Sequence, residues 1–309
     1  MTDKFSVSVI IPAYKAADTI GCALQSVADQ TCRPAEILVI DDGSNDNTAE
    51  VAESYRSAFD GCRFVVLLQS NQGPGAARNY GLREASCDLV AFLDADDEWF
   101  PKHLEVSVGK LFSNDLMLTA HNEMLMENGL ESLNDSLARL RECVDPYVAL
   151  YRKGCISTST VICKRHAIVE VGGFDADLAN GQDVDLWLAV LRQPGARFDI
   201  FEEPLSRYII REGSVNSNIS KRFYYFTKIA RRWAGEIVVR RDGRMMDLWF
   251  RISAIHYEAF KGHSKNAAFI RAFLTCAMYP MNLFDITVRG LLKVTPGRPM
   301  SLYQPNPKA

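Results

Sequence analysis

Apolar positions cluster in short unbroken runs along the first two hundred residues. Val7-Ser-Val-Ile-Ile11, Ile37-Leu-Val-Ile40, Phe64-Val-Val-Leu-Leu68 and Leu89-Val-Ala-Phe-Leu93 are each bounded by turn residues. Runs of this length with no polar alternation read as strands buried on both faces of a parallel sheet. The pattern predicts strands over Phe5–Pro12, Glu36–Ile40, Phe64–Leu68 and Leu89–Leu93. Helical spacing fills the gaps: from Asp18 or Thr19 to about Gln30, from Asp46 or Asn47 through about Phe59, and from Gly73-Pro-Gly75 onward, with Pro101 in the first turn of a fourth helix. Strand and helix in turn predict βαβ units and an α/β fold.

Further along, Leu116–His121, Thr158–Cys163, Phe198–Phe201 and Leu205–Ile210 read as strands and Asp183–Leu191 as a helix. Val171–Asp175 is turn-rich, and the pattern loosens between about His121 and Lys153, where a substrate-specific insertion fits. From Lys221 the spacing is helical, punctuated by Gly243, Gly262 and Pro280. The most apolar late stretch, Ala267–Met281, is broken by Arg271 and closed by Pro280, so no membrane span is expected.

Composition adds an asymmetry. Residues 1–218 carry 19 Lys+Arg against 33 Asp+Glu, and residues 219–309 carry 16 against 5, so an acidic body of −14 is followed by a basic tail of +11. The eight cysteines are scattered without a C-x-x-C pair, and the opening residues lack the pattern of a secretion signal. The expectation is a cytoplasmic chain with reduced thiols.

Two of the buried runs end in acids: Asp41-Asp42-Gly43-Ser44 and Asp94-Ala95-Asp96-Asp97. In open α/β sheets the ligand site lies beyond the carboxyl ends of the strands. Crowded carboxylates repel one another unless a cation or bound hydroxyls compensate them. A divalent ion such as Mg²⁺ or Mn²⁺ takes one or two carboxylates plus substrate phosphates, which suits Asp96 or Asp97. Asp183, at the start of its helix, serves either as an N-cap or as a general base.

In order along the chain, Val7-Ser-Val-Ile-Ile-Pro-Ala-Tyr14, Val39-Ile-Asp-Asp-Gly-Ser44, Asn71-Gln-Gly-Pro-Gly-Ala-Ala-Arg-Asn79, Phe92-Leu-Asp-Ala-Asp-Asp97, Gly172-Gly-Phe-Asp175 and Gln182-Asp-Val-Asp-Leu-Trp187 resemble the family 2 glycosyltransferases. The resemblance spans about residues 5–215. It implies a GT-A fold over 1–218, with a nucleotide-sugar half to about residue 100, an acceptor half over 101–218, and a helical extension over 219–309. It implies inverting transfer from a nucleoside-diphosphate sugar to a glycan or lipid-linked acceptor, as in bacterial polysaccharide synthesis. By the same resemblance, Pro12, Tyr14, Asp41 and Asp42 border the nucleobase and Arg78 lies near the base or diphosphate. Asp94 and Asp96 match the D-x-D element, Asp96 and Asp97 share the ribose and metal contacts, and Asp183 matches the catalytic base.

Some residues depart from the family pattern. Gln182 replaces the usual Glu before the base, which removes a negative neighbour and should ease ionisation of Asp183 if the side chains are close. Arg211 falls where the family carries His, and pairs either with the diphosphate or with Glu212 or Glu202 at the rim. The basic tail interleaves arginines with aromatics, as in Arg231-Arg-Trp233 and Trp249-Phe-Arg251. It suits an anionic membrane surface, or it packs on the catalytic domain or in a dimer. The acidic body argues against nucleic acid. Nucleotidyl transfer would want a Gly-rich phosphate loop after the first strand, where Pro12-Ala-Tyr-Lys15 stands instead. A receiver-like module would end that strand in acids, and a non-catalytic glycan binder would not need Asp183.

Overall fold

The computed structural model describes residues 6–211, 218–240, 243–265, 268–294 and 297. The first half runs through β1 (Val7–Ala13), α1 (Ile20–Ala28), β2 (Glu36–Asp41), α2 (Thr48–Ser54), β3 (Arg63–Leu68), α3 (Pro74–Glu84), β4 (Leu89–Phe92), β5 (Glu98–Trp99), α4 (His103–Ser113) and β6 (Leu118–His121). It continues through β7 (Glu123–Glu127), β8 (Leu130–Asn134), α5 (Ser136–Arg141), α6 (Pro146–Lys153), β9 (Ile162–Lys164), α7 (Arg165–Glu170), α8 (Gln182–Leu191), β10 (Phe198–Phe201) and β11 (Ser206–Ile209). Three long helices follow: α9 (Ile219–Val239), α10 (Met245–Lys265) and α11 (Phe269–Leu291).

Seven strands form the central sheet in the order β10-β6-β9-β4-β1-β2-β3. All pairs are parallel except those of β9, which runs against both β4 and β6. The unbroken apolar runs are explained by the two cores the sheet separates. On β1, Ile10 faces one core, with Leu38 and Ile40, while Val9 and Ile11 face the other, with Ile37 and Val39. Every position of β1, β2 and β4 is therefore inside, whereas β3, at the edge of the sheet, is only partly buried and leaves Leu68 exposed. A second sheet, ordered β5-β11-β7-β8, starts one residue after the second acidic cluster. It brings the chain that follows β10 back beside those acids, where the Ile209 N–H donates to Asp97 Oδ1 at 3.3 Å.

The helical tail packs into the larger core through Ile229, Ala230, Trp233 and Ile237 of α9. The anchor is ionic as well as apolar. Arg232 reaches Asp175 at 2.8 Å and Asp185 at 2.9 Å, and Trp233 Nε1 donates to Asp185 Oδ1 at 2.9 Å. These contacts turn two acids of the Gly-Gly-Phe-Asp and Gln-Asp-Val-Asp segments into docking points.

Several local expectations are corrected. The second helix ends at Ser54, and Arg56–Phe59 closes it as a 3₁₀ turn. Thr158–Cys163 is a 3₁₀ turn followed by the short β9. The loose region from 122 to 153 folds as a hairpin and two helices. Gly262 and Pro280 do not punctuate; they lie inside α10 and α11. A Cβ on Gly262 would meet Ile219 Cδ1 at 2.8 Å, so glycine is there for close packing of α9. Pro280 is exposed, and the carbonyl it leaves unbonded belongs to the exposed Cys276, where water can serve it. Among the described residues no helix is long and apolar enough to cross a membrane. All eight cysteines are free thiols.

Candidate active site

The carboxyl ends of β1, β2 and β4 are neighbours, so Tyr14, Asp41–Asp42 and Asp94–Asp97 gather on one edge of the sheet. Asp42 is buried and organises the loop that leads to α3. Its Oδ1 accepts from Gln69 Nε2 at 2.7 Å and from the Gln72 N–H at 2.8 Å, while Oδ2 accepts from the Gly73 N–H at 2.7 Å. Asp41 accepts from the Ser44 N–H at 2.9 Å, and the Ser44 hydroxyl accepts from the Lys15 N–H at 2.9 Å. Beside these, Pro12 is buried and Tyr14 exposed.

Arg78, buried on α3, carries the positive charge of the site. Its Nη2 donates to Asp94 Oδ1 at 2.5 Å and its guanidinium lies 5.3 Å from the centre of the Phe174 ring. Phe174 is held in turn by Asn79, which donates to its carbonyl and accepts from its N–H, both at 2.8 Å. Adjacent residues of one motif thus supply the charge and fix the surface beneath it.

Ser159 joins the acids. Its hydroxyl donates to Asp97 Oδ2 at 2.6 Å and accepts from the Asp94 N–H at 3.2 Å, while its carbonyl accepts from Trp99 Nε1 at 2.7 Å. Burial, with Asp94 and Asp96 alongside, holds the Asp97 carboxyl well above the ordinary carboxylate range. Asp96 is also raised, by burial and then Asp94, against the opposing charges of Arg211 and Arg78. Arg211 therefore acts on the acidic cluster. It makes no ion pair with Glu202, and Glu212 lies outside the described residues.

Asp183 occupies the second position of α8, where Gly181 is the cap, so it is not the N-cap. Gly181 sits at φ +70°, and a Cβ there would meet Ile229 Cδ1 at 2.8 Å. Although Asp183 is only partly buried, the protein around it pushes its carboxyl up; the Val184 N–H and Arg78 oppose that, and Asp94 adds to it. Gln182 plays no visible part in this balance. Its amide donates to the Leu178 carbonyl, and a Cβ on Gly75 would meet its side chain at 2.8 Å, so Gln182 packs the start of α8 on the start of α3.

A cleft of about 870 Å³ contains Asp94, Asp97 and Asp183 among its walls. Pro12, Tyr14, Asp41 and Asp42 lie outside it at the ends of β1 and β2, and Arg78, Asp96 and Arg211 are not among its walls either. Two further parts of the lining are ones the sequence did not disclose: Glu123, Ser157 and Ser159 beside the acids, and a wall of Phe226, Phe250 and Arg251 from α9 and α10. Glu123 is raised by burial although Ser157 and Asn134 donate to it, at 2.5 and 2.7 Å. No periodic signal marks these residues, because they meet only through the antiparallel return of β9 and the helical tail.

A hard divalent cation fits the donor set. The carboxyls are crowded and buried enough to resist ionisation alone, which is the state a cation relieves. Among the described residues no three His, Cys, Asp or Glu side chains converge to hold an ion by themselves. One or two carboxylates completed by ligand phosphate oxygens is the arrangement left, and it is the usual one for Mg²⁺.

Comparisons with known proteins bear on the family and the fold. The profile of Glycosyl transferase family 2 matches residues 8–139. The amylovoran biosynthesis glycosyltransferase AmsB of Erwinia amylovora is 30% identical over 72% of this chain and 76% of its own length. The UDP-Glc:alpha-D-GlcNAc-diphosphoundecaprenol beta-1,3-glucosyltransferase WfgD of Escherichia coli is 29% identical over 75% of this chain and 85% of its own. An uncharacterized glycosyltransferase of Rickettsia conorii is 32% identical, but the match covers only 35% of that longer protein. Among solved structures, TarS 1–349 of S. aureus in complex with UDP-GlcNAc superposes with a TM-score of 0.68 at 18% identity, covering 93% of this chain and 89% of that one. The mannosyltransferase PcManGT of Pyrobaculum calidifontis, in complex with GDP-Man and Mn²⁺, gives 0.60 at 18% identity over 94% and 88%.

Proposed function

The chain belongs to glycosyl transferase family 2, and on that premise we propose that it moves a sugar from a nucleoside-diphosphate donor to a hydroxyl of a glycan or lipid-linked acceptor, with inversion. The observation that carries this reading is the shared cleft: Asp183 faces the same space as Asp94 and Asp97, and Arg78 acts electrostatically on both sides of it.

In this reading Pro12, Tyr14, Asp41 and Asp42 border the nucleobase, Asp94 takes the ribose hydroxyls, and Arg78 and Arg211 face the diphosphate. Asp96 and Asp97 would hold Mg²⁺ or Mn²⁺. A cation bound there would stabilise negative charge on the departing diphosphate. Asp183 takes the proton of the acceptor hydroxyl, and that oxygen forms the new bond to the anomeric carbon. The bond from that carbon to the diphosphate breaks on the opposite face, its electron pair leaving with the diphosphate. Residues 1–218 form the catalytic domain, with the donor half to about residue 100, and 219–309 form the extension, whose α9 and α10 line the cleft.

The extension also supports a place for the protein. On α11 the buried residues are Ala272, Thr275, Asn282, Ile286 and Gly290, with the Thr275 carbonyl and Asn282 hydrogen-bonded to His256, while Phe269, Ile270, Phe273, Met281 and Phe284 point to solvent. A second copy would set two basic extensions against each other, whereas an anionic lipid surface opposes the +11 charge with its own. We therefore assign this face to the surface of an anionic membrane.

Screening UDP-, GDP- and dTDP-sugars by thermal shift with Mn²⁺ tests the catalytic reading. One donor is expected to stabilise the protein and EDTA to remove the effect; no stabilisation by any of them would contradict it.

A further inference from the structure

Arg251 is a guanidinium that burial has left without a counter-ion. It is 6% exposed, lines the cleft from α10, and makes no ion pair among the described residues. Its Nη1 donates to the Arg152 carbonyl at 3.0 Å and its plane lies 5.2 Å from the Phe226 ring, but Nη2 has no partner. Burying a charge in this way is unfavourable unless an anion meets it. Its charged neighbour Arg222, on α9 and also lining the cleft, makes matters worse, and burial pulls Arg251 down to about 10.

Of the other cations lining the cleft, Arg139, Arg152 and Lys153 have partners, whereas Lys261 and Lys265 of α10 are exposed and make no ion pair among the described residues, and the exposed Glu258 of that helix lines the cleft beside them. Arg152 faces Asp247 at 3.5 Å and lies 4.0 Å from the Phe250 ring, and Lys153 pairs with Glu142 at 2.8 Å. Arg222 acts electrostatically on Arg251, and Arg78 and Asp94 act on Asp183. The arginine pair lines the cleft from α9 and α10, whereas Asp94 and Asp97 line it from beyond β4 and Asp183 from α8. Apolar side chains flank it there: Ile219, Phe223, Phe226 and Ile255.

We propose that Arg251 and Arg222 form an anion site at the α9–α10 wall of the cleft, and that it takes the phosphate or diphosphate joining the acceptor's sugar to an apolar chain. The assignment of that ligand to an acceptor rests on the transferase reading above; the site itself does not. A fork of Arg donors suits phosphate oxygens, the aromatic wall suits the chain beside them, and the sugar then extends toward Asp183.

Calorimetry in EDTA, so that no metal-held diphosphate contributes, tests the site with dodecyl phosphate, inorganic phosphate and dodecyl maltoside as separate probes. Dodecyl phosphate is expected to bind at least tenfold more tightly than either of the others, and inorganic phosphate to compete with it. Arg222→Gln, at an exposed position that folding does not need, and Arg251→Lys, which keeps the charge but loses the fork, should each weaken dodecyl phosphate about tenfold and leave dodecyl maltoside unchanged. Equal binding of the phosphate and the maltoside, or indifference to both substitutions, would overturn the site. Inorganic phosphate binding as tightly as dodecyl phosphate would overturn its apolar half and leave a bare headgroup site. Failure of the transferase reading would show separately, as loss of the donor effect in the nucleotide-sugar screen.

Discussion

Asp97 illustrates how single residues here trade stability for a site. A carboxyl raised well above its ordinary range by burial and like charges is stabilised when it takes up a proton, so folding is favoured as pH falls through that raised value and disfavoured above it. Asp97→Asn removes the charge while Asn can still accept from the Ile209 N–H and donate to the Ser159 hydroxyl. The metal-free variant should melt about 2–4 °C higher than the parent at neutral pH, by calorimetry, and lose metal-dependent donor binding. Asp183 is raised too, and a general base must be ionised. The acid limb of kcat/KM should therefore lie above the ordinary Asp value of about 3.9. A limb at or below it would place the base elsewhere.

At the scale of elements, the docking of α9 depends on a buried charge triad. Removing Arg232 leaves Asp175 and Asp185 uncompensated, and breaking a buried pair in this way costs about 3–5 kcal/mol. Arg232→Ala should lower unfolding free energy by that order in a denaturant titration, whereas Arg289→Ala, at a half-exposed i,i+4 pair, should cost under about 0.5 kcal/mol. Between α4 and β6, His103 and His121 are buried and bonded at 2.8 Å, and burial pushes both down, His121 to about 4. The unfolded chain then binds protons that the fold excludes, so stability from this pair is lost as pH falls from about 6.5 toward 4. Thermal scans across that range should show the loss, and His103→Asn should flatten it.

Elements also mark where sequence reasoning ran out. β1, β2 and β4 were legible because both faces of each are buried, and the acids that follow them because two carboxylate clusters end strands of one sheet, although Asp41 and Asp42 also hold their loops by accepting backbone N–H groups. β8 was not: Leu130–Leu133 is exposed, so no face is selected and no period appears. Gly262 misled because its tolerance depends on Ile219, 43 positions away, and Pro280 because its tolerance depends on solvent reaching Cys276, which the sequence does not show. Asp185 was read as part of a catalytic motif, and its anchoring role needed Arg232, 47 positions away.

For the molecule as a whole, charge and apolarity are separated in the same sense. The acidic body holds the strand-end carboxylates, and the basic extension holds both a wall of the cleft and the exposed face of α11. This layout predicts co-sedimentation with vesicles containing phosphatidylglycerol but not with phosphatidylcholine alone. Phe273→Glu with Phe284→Glu should abolish it without lowering Tm, since both side chains are 72% exposed. The account as a whole stands on Asp183 acting in the cleft that Asp94 and Asp97 share. Its most direct test compares sugar transfer and donor affinity in Asp183→Asn with the parent protein: transfer should fall by at least a thousandfold while donor binding in Mn²⁺ stays within about threefold, whereas substantial transfer by the variant would contradict it.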